Sequence, residues 1–108
     1  GLADGNYTVE VELGGGSGRA SVQSPAPLRV EGGQAVITIT WGSSSYDYMR
    51  LDEDKLLPLN QEGNSTFELP VSVFNRKLTV YADTTAMSTP HEIEYTLKFL
   101  SDTIEQAG

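Results

Sequence analysis

Alternation of apolar and polar residues is clearest near the C-terminal end of the chain, over His91–Leu100. One side of this stretch carries only apolar or aromatic side chains after the first residue, namely Ile93, Tyr95, Leu97 and Phe99. A period of two over this length predicts a half-buried β-strand. His91, the only histidine of the protein, opens that strand in register with the apolar side.

The same period recurs upstream. Asn6–Leu13 and Arg76–Ala82 alternate clearly, and Gln34–Trp41 is rich in β-branched residues. Shorter strand candidates are Arg19–Gln23, Leu28–Val30, Tyr48–Leu51, Lys55–Asn60 and Ser65–Leu69. Glycine-rich turns separate several of them, and no pattern for a helix of ordinary length occurs. The sequence therefore predicts an all-β protein, an immunoglobulin-like antiparallel β-sandwich of about eight strands.

Two segments are expected to depart from strand structure. Ser44, Ser45 and Tyr46 predict a short 3₁₀-like helical turn, because serine favours helix N-caps and turns. Residues 101–108 are mostly polar and are expected to be a tail or linker remnant. The folded module would then span residues 1–100, with the loop Asp83–Pro90 leading into its last strand.

Composition narrows the function classes. The chain has 108 residues, enough for one domain, and a formal net charge of -8 from seven basic and fifteen acidic residues. This charge argues against nucleic-acid binding and disfavours anionic membranes. No apolar run approaches membrane-spanning length, and no signal peptide is recognisable. We expect the chain to be an excised module of a longer protein.

Catalytic and metal-binding motifs are weak. Cysteine is absent, which excludes disulfides, zinc-thiolate sites and cysteine nucleophiles. No G-x-S-x-G elbow occurs, so we expect no enzyme. Asp52–Asp54 offers hard oxygen ligands for calcium, but it lacks the glycine and spaced acids of an EF-hand loop, and a solvated turn is the favoured interpretation.

His91 leaves two interpretations open. A lone histidine at the mouth of a strand, just after a loop that contains Met87, could be a metal or cofactor ligand. It could equally be a strand-end residue that caps or hydrogen-bonds locally. Tyr95, on the apolar side of the same strand, could likewise be an ordinary core residue.

Four segments together resemble a known family. Leu2–Val9 reads L-A-D-G-N-Y-T-V, Leu28–Thr40 carries L-x-V-x-x-G followed by T-x-T, residues 44–46 read S-S-Y, and Tyr95–Phe99 reads Y-T-L-K-F. In this order and spacing, over about residues 2–100, they resemble the NEAT (near-iron-transporter) domains of bacterial surface haem-acquisition proteins. The resemblance rests on the order and spacing of the four pieces taken together.

This resemblance implies an immunoglobulin-like sandwich that holds haem in an apolar slot between a short helix and the last hairpin. In the family, the first tyrosine of Y-x-x-x-Y ligates the iron and the second hydrogen-bonds to the first. Tyr95 matches the second tyrosine, and Ser44, Ser45 and Tyr46 match the helix, whose serines reach a haem propionate. His91 stands where the family has its ligand tyrosine.

The departure at His91 sets the expected ligands. Imidazole is a good ligand for haem iron, so His91 is the expected metal ligand, with Tyr95 in support. Met87 could be a second axial ligand, and Met49 is a lesser candidate. His91 and Tyr95 are four residues apart, about 13 Å along a regular strand. A hydrogen bond between them would require a bend, a bulge or an intervening ligand.

Other residues are expected to complete the slot. The aromatic side chains that could form a flat wall are Trp41, Tyr46, Tyr48 and Tyr81. Haem propionates are anionic, so Arg50 or Lys98 would help to neutralise them. Arg50 is the better candidate, because Lys98 would point to the strand face opposite His91.

Two functions follow as hypotheses. The first is non-catalytic binding of haem, or a related tetrapyrrole, by a monomeric iron-acquisition module at the bacterial cell surface or cell wall. Its partners would be haem, haemoproteins and other surface haem-relay modules. The alternative is an immunoglobulin-like adhesive or structural module that binds protein or glycan without a cofactor.

Overall fold

Eight β-strands form the domain in a computed structural model that describes residues 1–89 and 91–107. The strands are β1 (Gly5–Gly15), β2 (Ala26–Glu31), β3 (Gln34–Thr40), β4 (Tyr46–Leu51), β5 (Asp54–Leu56), β6 (Thr66–Val71), β7 (Lys77–Thr84) and β8 (His91–Gln106). Among the described residues, no helix is long and apolar enough to cross a bilayer.

The strands pair in the antiparallel order β5-β4-β7-β8-β1-β2-β3-β6. β1 and β8 are long and central. Their register shifts between Thr8 and Glu10, a bulge of the kind that bends a sheet. β5 and β6, at the two ends of the order, come close without pairing. The folded-over sheet confirms the predicted β-sandwich of about eight strands.

The core lies between the two halves of this folded sheet. Alternating residues of nearly every strand point into it, as the period of two predicted. The largest fully buried side chains are Trp41, Phe67, Phe99, Leu28, Ile37, Ile39, Met49, Leu69 and Leu97. On β8 the inward series of Tyr95, Leu97 and Phe99 is buried throughout, so this strand anchors one wall of the core.

The predicted helical turn at Ser44–Tyr46 is wrong. This segment is a bend that runs into β4, and its backbone groups bond to neighbouring segments. The Ser45 carbonyl accepts from the Thr85 N–H at 2.8 Å, and the Tyr46 N–H donates to the Ser65 hydroxyl at 3.1 Å. Because these partners satisfy the groups that a helical turn would pair internally, the chain has no need to coil here.

Two of the short predicted strands contain fewer strand residues in the structure than the sequence predicted. In Arg19–Gln23 only Val22 forms a bridge, to Trp41. Of Lys55–Asn60, only Lys55 and Leu56 lie in a strand, as the last two residues of the three-residue β5. Pro58 has no backbone N–H, so the chain beyond Leu56 cannot extend the ladder.

The expected polar tail is largely part of the sheet. β8 runs to Gln106, and its last residues pair with Tyr7 and Thr8 of β1. Ile104 packs against the core from this segment. The sequence suggested a tail because polar residues dominate there, but backbone pairing to β1 does not depend on side-chain polarity. Gly108, which ends the expected tail, and Pro90, which ends the expected loop, lie outside the described residues.

Candidate functional site

Three aromatic side chains meet at one end of the core. The ring centroids of Trp41 and Tyr46 are 4.4 Å apart, those of Trp41 and Tyr95 are 4.9 Å apart, and Tyr46 meets Tyr95 edge-on at 6.3 Å. Trp41 also donates its indole N–H to the Met49 sulfur at 3.4 Å. Tilted and edge-on contacts are favourable arrangements for aromatic pairs. The cluster therefore forms a packed aromatic floor, and all three rings are buried.

The two phenols of this floor are bonded to each other. The hydroxyl oxygens of Tyr46 and Tyr95 are 2.8 Å apart and buried. Burial, followed by this hydrogen bond, raises the pKa of the Tyr95 phenol well above its ordinary value. Tyr95 therefore stays protonated at neutral pH. Its hydroxyl partner is Tyr46, whereas the family pattern implied a bond toward position 91.

A glycine turn after β1 packs directly on Tyr95. A Cβ atom at Gly16 would lie 2.7 Å from Cε1 of the Tyr95 ring, and one at Gly15 would lie 2.7 Å from the Glu94 carbonyl oxygen. Both glycines have positive φ, +88° at Gly15 and +62° at Gly16. Only glycine combines this conformation with such close approach. The turn thus covers the Tyr95 ring and carries the following residues to the same place.

A cavity of about 250 Å³ opens beside this floor. Three segments build it: the return from the glycine turn, the bend before β4, and the β7–β8 hairpin. The lining residues are Ser17, Arg19, Ala20, Ser21, Gly42, Ser43, Tyr46, Thr84, Ala86, Met87, Ile93 and Tyr95. We call this cavity the aromatic cleft. It combines an apolar floor with a rim of hydroxyl groups.

The charge of the aromatic cleft differs from that of the whole protein. Fifteen acidic residues give the chain its net charge of -8, yet no carboxylate is among the residues that line the cleft. Arg19 is the single charged lining residue. It is exposed and forms no ion pair with any described residue. The cleft is thus a local site of positive charge on an acidic domain.

The structure brings together only part of the predicted site. Tyr46, Met87 and Tyr95 line the aromatic cleft, and Met87 is 56% exposed at its edge. Ser44 and Ser45 do not line it. Ser44 is exposed, and Ser45 is half-buried with its backbone bonded to Ser43 and Thr85.

His91 lies next to the aromatic cleft and not among its lining residues. It is exposed, and its strand partner across the hairpin is Thr84, which does line the cleft. Alternation along β8 places His91 on the same strand face as Ile93 and Tyr95. The apolar slot expected beside His91 therefore opens farther along the strand, against Ile93 and Tyr95, with His91 beyond its edge.

Arg50 forms its contacts outside the aromatic cleft. Its guanidinium binds the Glu92 carboxylate at 2.7 Å and lies 4.1 Å over the Tyr81 ring. Hydrogen bonds from Arg50 and Tyr48 lower the pKa of Glu92, and the bond to Glu92 raises the pKa of Tyr48 to about 12. This network lies apart from the aromatic cleft, so Tyr48 and Tyr81 do not contribute to the expected wall. Arg50 is not available to a propionate in the cleft.

Arg19 is the functional candidate that sequence reasoning missed. One signal was present: it is the first charged residue after Gly14–Gly18, a loop whose glycines permit close packing. That signal could not say what the loop packs against. The hydroxyls of Ser17, Ser21, Ser43 and Thr84 were missed for the same reason, since three distant segments bring them together.

A second, larger cavity of about 680 Å³ lies at another place in the fold. The residues that line it include Leu2, Val30, Val71, Phe74 and Ile104. None of the predicted site residues is among them. It is mostly apolar and is lined by no charged side chain, so its chemistry differs from that of the aromatic cleft.

Metal binding by side chains alone has little support in the part of the chain that the structure describes. No group of three or more His, Asp or Glu residues is gathered there in a way that could hold a metal ion. Asp52–Asp54 forms the β4–β5 turn, where the Asp52 carbonyl accepts from Arg50 at 2.6 Å.

Comparison with known proteins gives a structural match only. No protein-family model matches the sequence, and no curated protein does. The fold is similar to that of the NEAT5 domain of IsdX2, a B. anthracis hemophore, in complex with haem, with a TM-score of 0.69, 17% identity and coverage of 90% of this chain and 96% of that one. A mutant of that domain, also in complex with haem, has a TM-score of 0.71 and 18% identity. The match covers 91% of this chain and 96% of that one. At these identities the match shows a shared fold, and it confirms the predicted NEAT-type architecture.

Proposed function

We propose that this domain binds haem, or a related tetrapyrrole, non-covalently in the aromatic cleft. The observation that carries the proposal is the position and character of this cleft. It has an aromatic floor and lies between the bend before β4 and the last hairpin, where the sequence resemblance implied a haem slot. The shared fold with two NEAT5 domains that contain haem supports the same proposal.

The size of the aromatic cleft indicates how the ligand would sit. Pockets that enclose a drug-sized molecule are usually about 300–1,000 Å³. At about 250 Å³, this cleft accommodates only part of a tetrapyrrole. One edge of the macrocycle would insert over the aromatic floor, and the opposite edge would stay at the surface. Partial exposure suits a carrier that receives and releases its cargo.

We propose that His91 would ligate the iron, with Met87 as a candidate second donor. Tyr95 is a poor candidate, because its phenol is bonded to Tyr46 and its raised pKa disfavours the phenolate. His91 lies beyond the edge of the cleft, on the same strand face as Tyr95, and the exposed Met87 side chain lines the cleft. Imidazole and thioether are both groups that bind haem iron in proteins, so either residue could supply a ligand when haem is bound.

The role that follows is that of a non-catalytic iron-acquisition module. Its cargo would come from haem or haemoproteins, and other surface haem-relay modules would be its exchange partners. The proposed location is extracellular, on a bacterial cell surface or cell wall. The domain would act as a monomer, because one chain supplies both proposed donors, Met87 from the lining of the cleft and His91 from beside it.

A hemin titration followed at the Soret band tests the proposal. Saturable binding at one equivalent is expected for the wild type. His91→Ala is expected to shift the Soret maximum and to weaken binding by about tenfold or more, while Glu94→Ala, an exposed change on the opposite face of β8, is expected to match the wild type. Absence of saturable binding to the wild type contradicts haem binding. An unchanged spectrum for His91→Ala, with a changed one for Met87→Leu, would assign the iron to Met87.

The second candidate function is protein or glycan binding without a cofactor. One observation favours it: Leu57 and Leu59, between β5 and β6, are 69% and 57% exposed. Exposed apolar side chains that form a contiguous patch mark contact surfaces, and these two leucines would supply part of one. The hemin titration separates the two functions, because an adhesive module would give no saturable Soret change.

A further inference from the structure

We propose that Arg19 is the specificity-determining residue of the aromatic cleft, which selects tetrapyrroles that carry free carboxylates. The inference rests on the proposed function and adds to it the chemical feature of the ligand that is recognised. It follows from the position of Arg19, from the absence of competing charges, and from the hydrogen-bonding state of the hydroxyls around it.

The backbone on both sides of Arg19 is fixed to the site. Upstream, Gly16 packs on the Tyr95 ring, where any larger residue would collide. Downstream, the Ser21 carbonyl accepts from the Gly42 N–H at 2.8 Å, and Val22 forms a bridge to Trp41. Arg19 therefore has an exposed, adaptable side chain on a backbone that is attached to the floor of the cleft at both ends.

The other cations with a visible partner are bound away from the cleft. Arg29 pairs with Glu31 and Glu68, and Arg50 pairs with Glu92. Lys55 lies 4.2 Å over the Tyr48 ring. Arg19 alone combines a place in the cleft lining with the absence of an ion pair to any described residue. A ligand carboxylate would thus meet no competing acid from the lining.

The hydroxyls of the rim are set to donate. The Ser43 oxygen accepts the Ser45 N–H at 3.1 Å, the Thr84 oxygen accepts the Ala86 N–H at 3.2 Å, and the Ser17 oxygen accepts the Arg19 N–H at 3.4 Å. In each case the oxygen accepts a backbone bond, and its own O–H proton is left for another partner. A rim of this kind favours acceptors, and the guanidinium of Arg19 favours anionic ones, which together describe a carboxylate.

The test compares two forms of one ligand. Iron(III) protoporphyrin IX carries two carboxylates, and its dimethyl ester carries none, while the macrocycle and the iron are unchanged. Each is titrated into wild type, Arg19→Gln, Arg19→Lys and Arg76→Gln under identical buffer and detergent conditions. Arg76 is exposed, has no ion pair in the described structure, and lies outside the cleft. Arg76→Gln therefore removes one positive charge, as Arg19→Gln does, without changing the cleft.

The wild type is expected to prefer the diacid to the diester, and Arg19→Gln is expected to weaken diacid binding by about tenfold with little effect on the diester. Arg19→Lys should recover part of the loss, since it restores the charge without the planar fork. Equal diacid affinities of Arg19→Gln and Arg76→Gln would overturn the role of Arg19 while leaving haem binding intact. Failure of the wild type to bind either form would overturn the proposed function and this inference with it. Far-UV circular dichroism checks that each variant is folded.

Discussion

At the scale of single residues, Tyr95 shows how one side chain can serve the core and the site together. Its ring is part of the aromatic floor, and its hydroxyl is bonded to Tyr46 at 2.8 Å. The sequence placed Tyr95 correctly on the apolar face of β8. It could not identify the partner, because Tyr46 is 49 residues away and no local pattern links the two.

The bond between the two phenols is testable by a double-mutant cycle. Tyr95→Phe and Tyr46→Phe are each expected to lower the free energy of unfolding by about 1 kcal/mol, because each leaves a buried hydroxyl without its partner. The double variant is expected to lose little more than either single variant, since both hydroxyls are then gone. Urea denaturation measures all three. Additive losses would contradict a direct bond between the phenols.

Asp83 gives a prediction about pH. Its hydrogen bond with Asp47, followed by burial and the negative charges of Asp47 and Glu92, raises the pKa of Asp83, and Lys55 only partly opposes this. The folded state therefore holds a proton more tightly than the unfolded chain, whose aspartates titrate near about 3.9. Ionising Asp83 thus destabilises the fold progressively as the pH rises from that value through the raised pKa.

Asp83→Asn removes this ionisation. The difference in melting temperature between Asp83→Asn and wild type is expected to grow in favour of the variant as the pH rises through this window, and then to level off. Asp102→Asn, an exposed change outside the Asp47–Asp83 pair, serves as the control. A difference in melting temperature between Asp83→Asn and wild type that stays constant across the pH series would be inconsistent with a raised pKa of Asp83.

At the scale of elements, the glycine turn after β1 brings one of the three segments that line the cleft against Tyr95. Gly15 and Gly16 allow the chain to pass over Tyr95, and the turn then delivers Ser17 and Arg19 to the rim. The sequence predicted a tight turn here from composition alone. The surface against which the turn packs became visible only in the fold.

Gly16→Ala tests this packing against Gly18→Ala. Both positions have positive φ, +62° and +84°, so both substitutions carry a backbone penalty of about 1 kcal/mol. Only a Cβ at Gly16 collides with Tyr95, whereas nothing lies within 4 Å of one at Gly18. Gly16→Ala is therefore expected to be the more destabilising change in thermal melts and to weaken hemin binding. Equal effects of the two substitutions would argue that the turn does not pack on the ring.

The elements themselves were predictable to different degrees. Long alternating strands such as β1, β7 and β8 were recognised, because burial of one sheet face imposes the period of two directly. Ser44–Tyr46 was predicted as a helical turn from its serines and is a bend, because Ser65 and Thr85 from elsewhere in the chain satisfy its backbone. The end of β8 was predicted as a tail because most of its side chains are polar. Its backbone nevertheless pairs with β1, and side-chain polarity does not indicate that pairing.

At the scale of the whole molecule, the sequence predicted the architecture better than the site. Ordered family motifs and strand periodicity led to a NEAT-type sandwich, which the structural similarity confirms. The cleft depends on three segments that are distant in sequence and meet only after folding. Its local positive charge is likewise invisible in a net charge of -8. Position 91 as the metal ligand stays a prediction.

The central claim, that the aromatic cleft is the haem site, is tested most directly by mapping the ligand on the folded domain. Gallium(III) protoporphyrin IX is diamagnetic, so its addition can be followed residue by residue in ¹H–¹⁵N correlation spectra. We expect the largest shifts at residues 17–21, 42–46, 84–87 and 91–95, with residues 30–35 and 71–74 beside the larger cavity unchanged. Shifts confined to the larger cavity, or no saturable shifts at all, would contradict the claim.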